Sequence, residues 1–276
     1  MEIGPLAIWD HSAWEGFRDP EALAELEELG YGTAWFGGSP SPDLTTVEPI
    51  LAASRRLVGA TGIVNVWDAE ASVAAAGYHR VATAYPDRFI LGIGVGHGPA
   101  VGDRYRKPYD KLVSYLDGLD EGGVPVEGRA LAALGPKVLG LARDRTAGAH
   151  PYLTTPEHTA QAREILGAGK LLAPEQKVAL TTDPAEARSL ARSRLDFYFG
   201  LPNYTNNWLR LGFTEDDFAD GGSDRLVDAL VVWGDEDDIR TRVKAHLDAG
   251  ADQVPLQVLN DDKLAVLRTL APVLRF

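Results

Sequence analysis

The chain has 276 residues, 45% hydrophobic and 24% charged, an ordinary globular composition with apolar material for a sizeable core, and a length that suits one α/β barrel over 1–276. Its 27 Lys and Arg against 40 Asp and Glu leave a net charge of −13, which argues against nucleic acid or an anionic membrane as the main partner, since both need a basic footprint. There is no cysteine, which excludes disulfides, thiolate metal sites and a cysteine nucleophile and makes a reducing cytoplasm the expected compartment.

The opening MEIGPLAIWDHSAW lacks a basic stretch followed by a long apolar run, and no segment approaches the roughly 20 apolar residues of a membrane span, so no leader or membrane helix is expected. IGPLAIW (3–9) reads as the first strand and DPEALAELEELG as a helix, with Asp19 as N-cap, Pro20 at the first position and Gly30 as C-cap. TAWFGG is the second strand, and DLTTVEPILAASRRL is mostly helix. GATGIVNVW is the third strand, AEASVAAAGYHRVATAYP an alanine-rich helix, and RFILGIGVG the fourth strand.

GRALAALG is a short fifth strand, and Pro136 opens the helix PKVLGLARDR. GAHPYLT is the sixth strand, followed by a helix from Pro156 to about Leu166. EQKVALT is the seventh, with the helix DPAEARSLARSRLDFYF after it, and ADQVPLQVL (251–259) the eighth, with DKLAVLRTLAPVLRF closing the chain. Eight strands alternating with helices predict a (β/α)8 TIM barrel. The pattern breaks at about 199–233, rich in aromatics, Asn and Gly, which is expected to add helical turns before the last strand.

In such a barrel the chemistry sits at the C-terminal ends of the strands. Those positions here include Trp9, Asp10 and His11; Gly37 to Ser39; Asn65, Trp67 and Asp68; Gly94 to His97; Leu134 to Lys137; and His150 to Thr155. Glycines beside indoles suit a flat aromatic ligand, with close backbone approach and ring walls. The glycines of GIGVGHG lack the spacing of a dinucleotide fingerprint, and they read equally as a strand thinned for packing. In LAALGPKV, Gly135 and Pro136 start a helix directly after a strand with Lys137 in its first turn; that suits a phosphate, or is simply a capped helix with a solvated lysine. His97 can exchange a proton near neutral pH, with His11 and His150 as competitors. HExxH, GxSxG and GK[ST] patterns are absent, so zincin, acyl-enzyme and P-loop chemistry have no support.

Together, ELEELGYGTAWFGGS, GATGIVNVW, YPDRFILGIGVGH and AGADQVPLQVL resemble the luciferase-like family of flavin- and coenzyme F420-dependent oxidoreductases. The resemblance runs nearly the whole chain, is most specific in YPDRFILGIGVGH, and is closest to the F420-dependent branch common in actinobacteria. It implies a barrel in which a deazaflavin lies across the strand ends and exchanges a hydride with a small substrate. Gly62 and Ile63 match the place where the family often has a non-prolyl cis peptide behind the ring; Asn65 and Trp67 then border the ring. Gly94, Val95 and Gly96 match cofactor contacts on the fourth strand, and Leu134, Gly135, Lys137 and Val138 match the phosphate-holding segment. Ser39, at the second strand end, joins them as a cofactor contact, and Trp9, His11, Trp67 and His150 are expected in the substrate pocket.

Two departures are informative. The family's sugar-phosphate dehydrogenases carry an Asp-His pair where this chain has Gly38 and Ser39, and a glutamate where it has His97. Sugar-phosphate oxidation is therefore disfavoured, and His97 becomes the candidate for proton transfer, or a residue that hydrogen-bonds the cofactor. F420 and FMN share a ring footprint and a phosphate; Arg104, Arg106 and Lys107 would suit the anionic tail of F420 if they form a groove. The expected function is an F420-dependent oxidoreductase acting on an uncharged or weakly polar small molecule. The alternatives are an FMN-dependent monooxygenase, a non-catalytic flavin- or F420-binding relative, or a cofactor-free barrel lyase or isomerase with a phosphate site near Lys137. A homodimer is implied by the resemblance, and the aromatic segment 197–213 is expected either at that contact or at the substrate mouth.

Overall fold

The computed structural model describes residues 3–276. Its strands are β1 (Leu6–His11), β2 (Thr33–Gly37), β3 (Val58–Thr61), β4 (Val64–Asn65), β5 (Phe89–Gly94), β6 (Arg129–Leu131), β7 (Gly148–Ala149), β8 (Leu171–Leu172), β9 (Gln176–Leu180), β10 (Val231–Gly234) and β11 (Val254–Val258). They form one parallel sheet in the order β10-β9-β11-β1-β2-β3-β5-β6-β7-β8, with β4 on β5. The curl closes where Asp252 N and Gln253 N donate to Leu172 O at 2.9 and 3.4 Å. Among the described residues no helix is long and apolar enough to cross a membrane.

All eight expected strands are present, one of them broken. The third is split into β3 and β4 at Gly62-Ile63, whose peptide bond is cis. The seventh, EQKVALT, is β9, which pairs with β11; β8, which pairs with β7, lies before it and was not expected. β10 is additional and adds a strand to the region at about 199–233, which was expected to add helical turns. That segment holds helices at Pro202–Arg210 and Asp224–Leu230, but its end and the next residue, Val231–Gly234, pair with β9 along all four residues. Because β7 spans only two residues, the upper edge of β9 has no partner from it, and the β-branched VVWG run covers that edge.

The first helix is Pro20–Leu29, with the Asp19 carboxylate accepting from Glu21 N and Gly30 at φ +99°. The expected helix over 43–57 shrinks to Glu48–Ala53 because Asp43 folds its carboxylate onto Thr45 N and Leu44 takes φ +62°. Helices at Pro108–Glu121 and Glu236–Asp248 were not among the expected elements. Inside the barrel the residues are mostly small, Ala7, Ala60, Ala130 and Ala173, around buried Trp9 and Trp35; the larger aliphatic core lies between sheet and helices.

The glycines in and just after β5 do different jobs. A Cβ on Gly92 would lie 1.8 Å from Thr61 O, so this glycine is required by strand packing alone. Gly96 has φ +60° and faces the Asn65 amide, and it turns the chain from the strand toward His97.

Candidate active site

A cavity of about 530 Å³ opens at the C-terminal ends of the strands. Trp9 and His11 come from β1, Ser39 from the turn after β2, Gly62 and Ile63 from the break between β3 and β4, and Val95, Gly96 and His97 from the end of β5. Leu134, Gly135 and Val138 follow β6, and His150 follows β7. Twelve of the sixteen sites expected from the sequence therefore line one cavity.

The other four stand behind its wall. Gly94 lies within β5 and leaves room for the Ile63 side chain, 2.9 Å from where a Cβ would be. Asn65 accepts from Trp67 N at 3.2 Å and packs its amide behind Gly96. Trp67 donates its indole N–H to Val95 O at 3.0 Å and rests near Tyr105, so it props the wall rather than facing a substrate. The Lys137 ammonium lies 3.7 Å from the Tyr109 ring centroid, drawn to its π face instead of the cavity.

The cation that does reach this end of the helix Pro136–Arg145 is Arg210, from the insertion. Its Nη2 donates to Asn207 Oδ1 at 3.1 Å and lies 3.5 Å from the Cβ position of Gly135, the helix N-cap. The first-turn N–H groups of a helix are free of intrahelical partners and carry partial positive charge, so this corner suits a phosphate. Sequence reasoning missed Arg210, because nothing in its spacing from Gly135 announces the contact. It also missed Tyr105, Tyr109 and Leu112, which lie within or just before an unexpected helix, and it left the aromatic segment between two places. Tyr198, Asn203, Tyr204 and Asn206 line the cavity.

Three histidines have distinct environments. His97 is ringed by Phe197, Tyr198 and Tyr204 at centroid distances of 5.5, 5.6 and 5.8 Å. Its Nδ1 is buried without a protein partner, and burial lowers its pKa, so the ring is neutral near pH 7. His150 stacks on Trp35 at 4.0 Å and donates from Nδ1 to Ala173 O at 2.7 Å. Burial pushes it down to about 4, making it a neutral floor to the cavity. His11 is exposed and meets Trp9 edge-on at 5.8 Å.

No Asp or Glu lines the cavity among the described residues. Cations outnumber carboxylates in the stretch beside it: Arg104, Arg106, Lys107 and Lys111, interleaved with Asp103 and Asp110, flank the lining residues Tyr105, Pro108, Tyr109 and Leu112, with Lys137 and Arg210 nearby. Among the described residues none of these six cations is in an ion pair, in a chain of net charge −13.

No family model and no curated protein matches the chain. Solved structures do. An F420-dependent secondary alcohol dehydrogenase in complex with an F420–acetone adduct aligns over 100% of both chains with TM-score 0.75 and 12% identity. The coenzyme F420-dependent tetrahydromethanopterin reductase of Methanopyrus kandleri aligns over 98% of both, with TM-score 0.71 and 16% identity. The oxygenating constituent of 3,6-diketocamphane monooxygenase from Pseudomonas putida, in complex with FMN, aligns over 99% of this chain and 97% of its own, with TM-score 0.71 and 13% identity. The chain has the luciferase-like barrel fold. In this luciferase-like barrel the cavity occupies the strand-end position at which (β/α)8 enzymes carry their chemistry.

Proposed function

We propose that this protein is an F420-dependent oxidoreductase that exchanges a hydride with a small uncharged organic substrate. The observation that carries the choice of cofactor is the cation-rich stretch Arg104–Lys111 at the cavity rim. A phosphate corner at Gly135 and Arg210 would serve FMN and F420 alike, whereas Arg104, Arg106, Lys107 and Lys111, four cations in no ion pair among the described residues, complement a tail of several carboxylates.

The cavity fits such a cofactor. Ile63 and Gly62 offer a flat backstop, and Gly96 lets the backbone approach; the unpartnered Nδ1 of His97 awaits a hydrogen-bonding ligand. Leu134, Gly135, Val138 and Arg210 would hold the phosphate, and the Arg104–Lys111 segment the tail. A bound deazaflavin supplies a two-electron hydride equivalent. Around it the protein excludes water with Tyr105, Tyr109, Tyr198 and Tyr204, and presents His97 as a neutral imidazole that accepts rather than releases a proton at pH 7. The aromatic, carboxylate-free wall supports an uncharged substrate.

Mixing the apo-protein with F420 and with FMN, and following fluorescence quenching, tests this reading. F420 should bind more tightly, and the difference should narrow as salt rises. Tighter binding of FMN at low salt overturns the F420 assignment and favours the flavin monooxygenase reading.

A further inference from the structure

One wall of the cavity holds chemistry that cofactor binding leaves unused. Tyr152 lines it just past β7, and behind its phenol lies an ion pair shut inside the barrel: Lys177 and Glu175 are each 1% exposed. Lys177 Nζ donates to Tyr152 Oη at 2.7 Å, Gln257 Oε1 at 2.7 Å and Glu175 Oε1 at 3.0 Å, which commits all three ammonium hydrogens. Tyr152 Oη donates to Gln257 Oε1 at 3.0 Å. Desolvating an ion pair costs at least as much as its attraction returns in most cases, so a packed apolar pair would serve stability as well. Its place directly behind a cavity-lining phenol points to function.

Hydride transfer to a carbonyl or imine needs a proton as well, and among the described residues no carboxylic acid lines the cavity. His97 is kept neutral by burial, and a neutral imidazole is a poor acid. Tyr152 is the one lining side chain, among the described residues, hydrogen-bonded to a buried cation. We propose that Tyr152 donates the proton to the substrate heteroatom during hydride transfer, with the Lys177 ammonium, held in place by Glu175, hydrogen-bonding the phenolate left behind. The substrate class is then ketones, aldehydes or imines, and this role rests on the reading of the site as a hydride-transfer centre.

Hydride reaches the electrophilic carbon with two electrons, the carbon–heteroatom π bond breaks, and its electron pair takes the Tyr152 Oη proton, which turns from Gln257 toward the substrate. The substrate is reduced and the cofactor oxidised; water reprotonates the phenolate as product leaves. In the reverse direction the same oxygen takes the alcohol or amine proton. The titratable groups facing Tyr152 are Lys177 from β9, Glu175 just before that strand, and Tyr198 and Tyr204 from the aromatic segment 197–213. Burial holds the phenol well above its ordinary range, so its proton is present at neutral pH, while burial against the pull of Glu175 brings Lys177 down to about 8.

The test uses full-length wild type, Tyr152→Phe and the charge-balanced double variant Lys177→Met/Glu175→Gln, each first checked by thermal melting. Tyr152→Phe should keep the F420 Kd within twofold while single-turnover hydride transfer from reduced F420 to a ketone and imine panel falls about 10²–10⁴-fold. Wild-type turnover should fall above about pH 8 as Lys177 loses its proton, and the double variant should lack that limb. In apo-protein, ¹³C-tyrosine NMR should show a phenol resonance, absent in Tyr152→Phe, that shifts in the double variant. If wild type binds neither F420 nor FMN, the hydride-transfer reading fails and takes this role with it. If cofactor binds but Tyr152→Phe keeps turnover within threefold, or no carbonyl or imine is turned over by wild type, the proton-donor role alone is overturned.

Discussion

Arg210 stands at the helix that Gly135 caps, its Nη2 3.5 Å from where a Cβ on that glycine would sit, while Lys137 in the same first turn points to Tyr109. A charge-assisted hydrogen bond to an anion contributes about 1.5–3 kcal/mol, roughly one to two powers of ten in affinity. Arg210→Met is therefore expected to weaken cofactor binding at least tenfold, and Lys137→Met less than twofold, both measured by fluorescence quenching. Equal losses would return the phosphate contact to Lys137.

Rim charge should discriminate between cofactors. Reversing two of its members, Arg106→Glu with Lys107→Glu, is expected to raise the F420 Kd severalfold at low ionic strength and much less at high salt, because these side chains are exposed and screened. The FMN Kd should stay within twofold. A parallel rise for both cofactors would mean that the rim acts on the phosphate or on folding.

Gly92 in β5 and Gly96 in the turn after it should separate folding from binding. Gly92→Ala places a methyl 1.8 Å from a backbone oxygen of β3, which cannot yield without breaking the barrel, so soluble folded protein is not expected. Gly96→Ala puts a side chain at φ +60° and 2.7 Å from Asn65 Nδ2, a side-chain atom that can shift. It should cost about 1–3 kcal/mol, a fall of several degrees in Tm, and weaken cofactor binding more than tenfold.

Stability should fall on acidification before most carboxylates protonate. Burial depresses His150 to about 4 and His246 to about 3, from an ordinary 6.5. The unfolded chain binds more protons at these sites below pH 6.5, so their contribution is fully present above that pH and is lost as pH falls toward 4 and 3. His150 is 2% exposed, and its shift corresponds to roughly 3 kcal/mol across the whole window. Urea unfolding at pH 7 and pH 5 should show wild type less stable at pH 5, and His150→Phe, whatever its absolute stability, should show a smaller difference. An unchanged difference would remove His150 as its source.

Local signals carried much of the fold. Asp19, Pro20 and Gly30 bound the first helix because capping and a left-handed C-terminal residue act within a few positions. The glycine-rich strand end and the helix start at Pro136 were legible for the same reason. Asp43 was not: whether a carboxylate caps a helix or ties a turn depends on which backbone N–H it meets first, and a single side-chain bond shortened that helix.

By itself, the sequence determined the alternation of strands and helices, the strand ends that furnish Trp9, Gly62, Gly96, His97 and Gly135, and the absence of thiol chemistry. These follow from periodicity, turn residues and composition, which are properties of neighbouring residues. Only the tertiary structure decided which cation reaches the phosphate corner, that Trp67 and Asn65 stand behind the wall, and that Tyr152 meets Lys177 across 25 positions of chain. Barrel closure brings those atoms together, and a side chain's direction there depends on what packs around it rather than on its place in the chain.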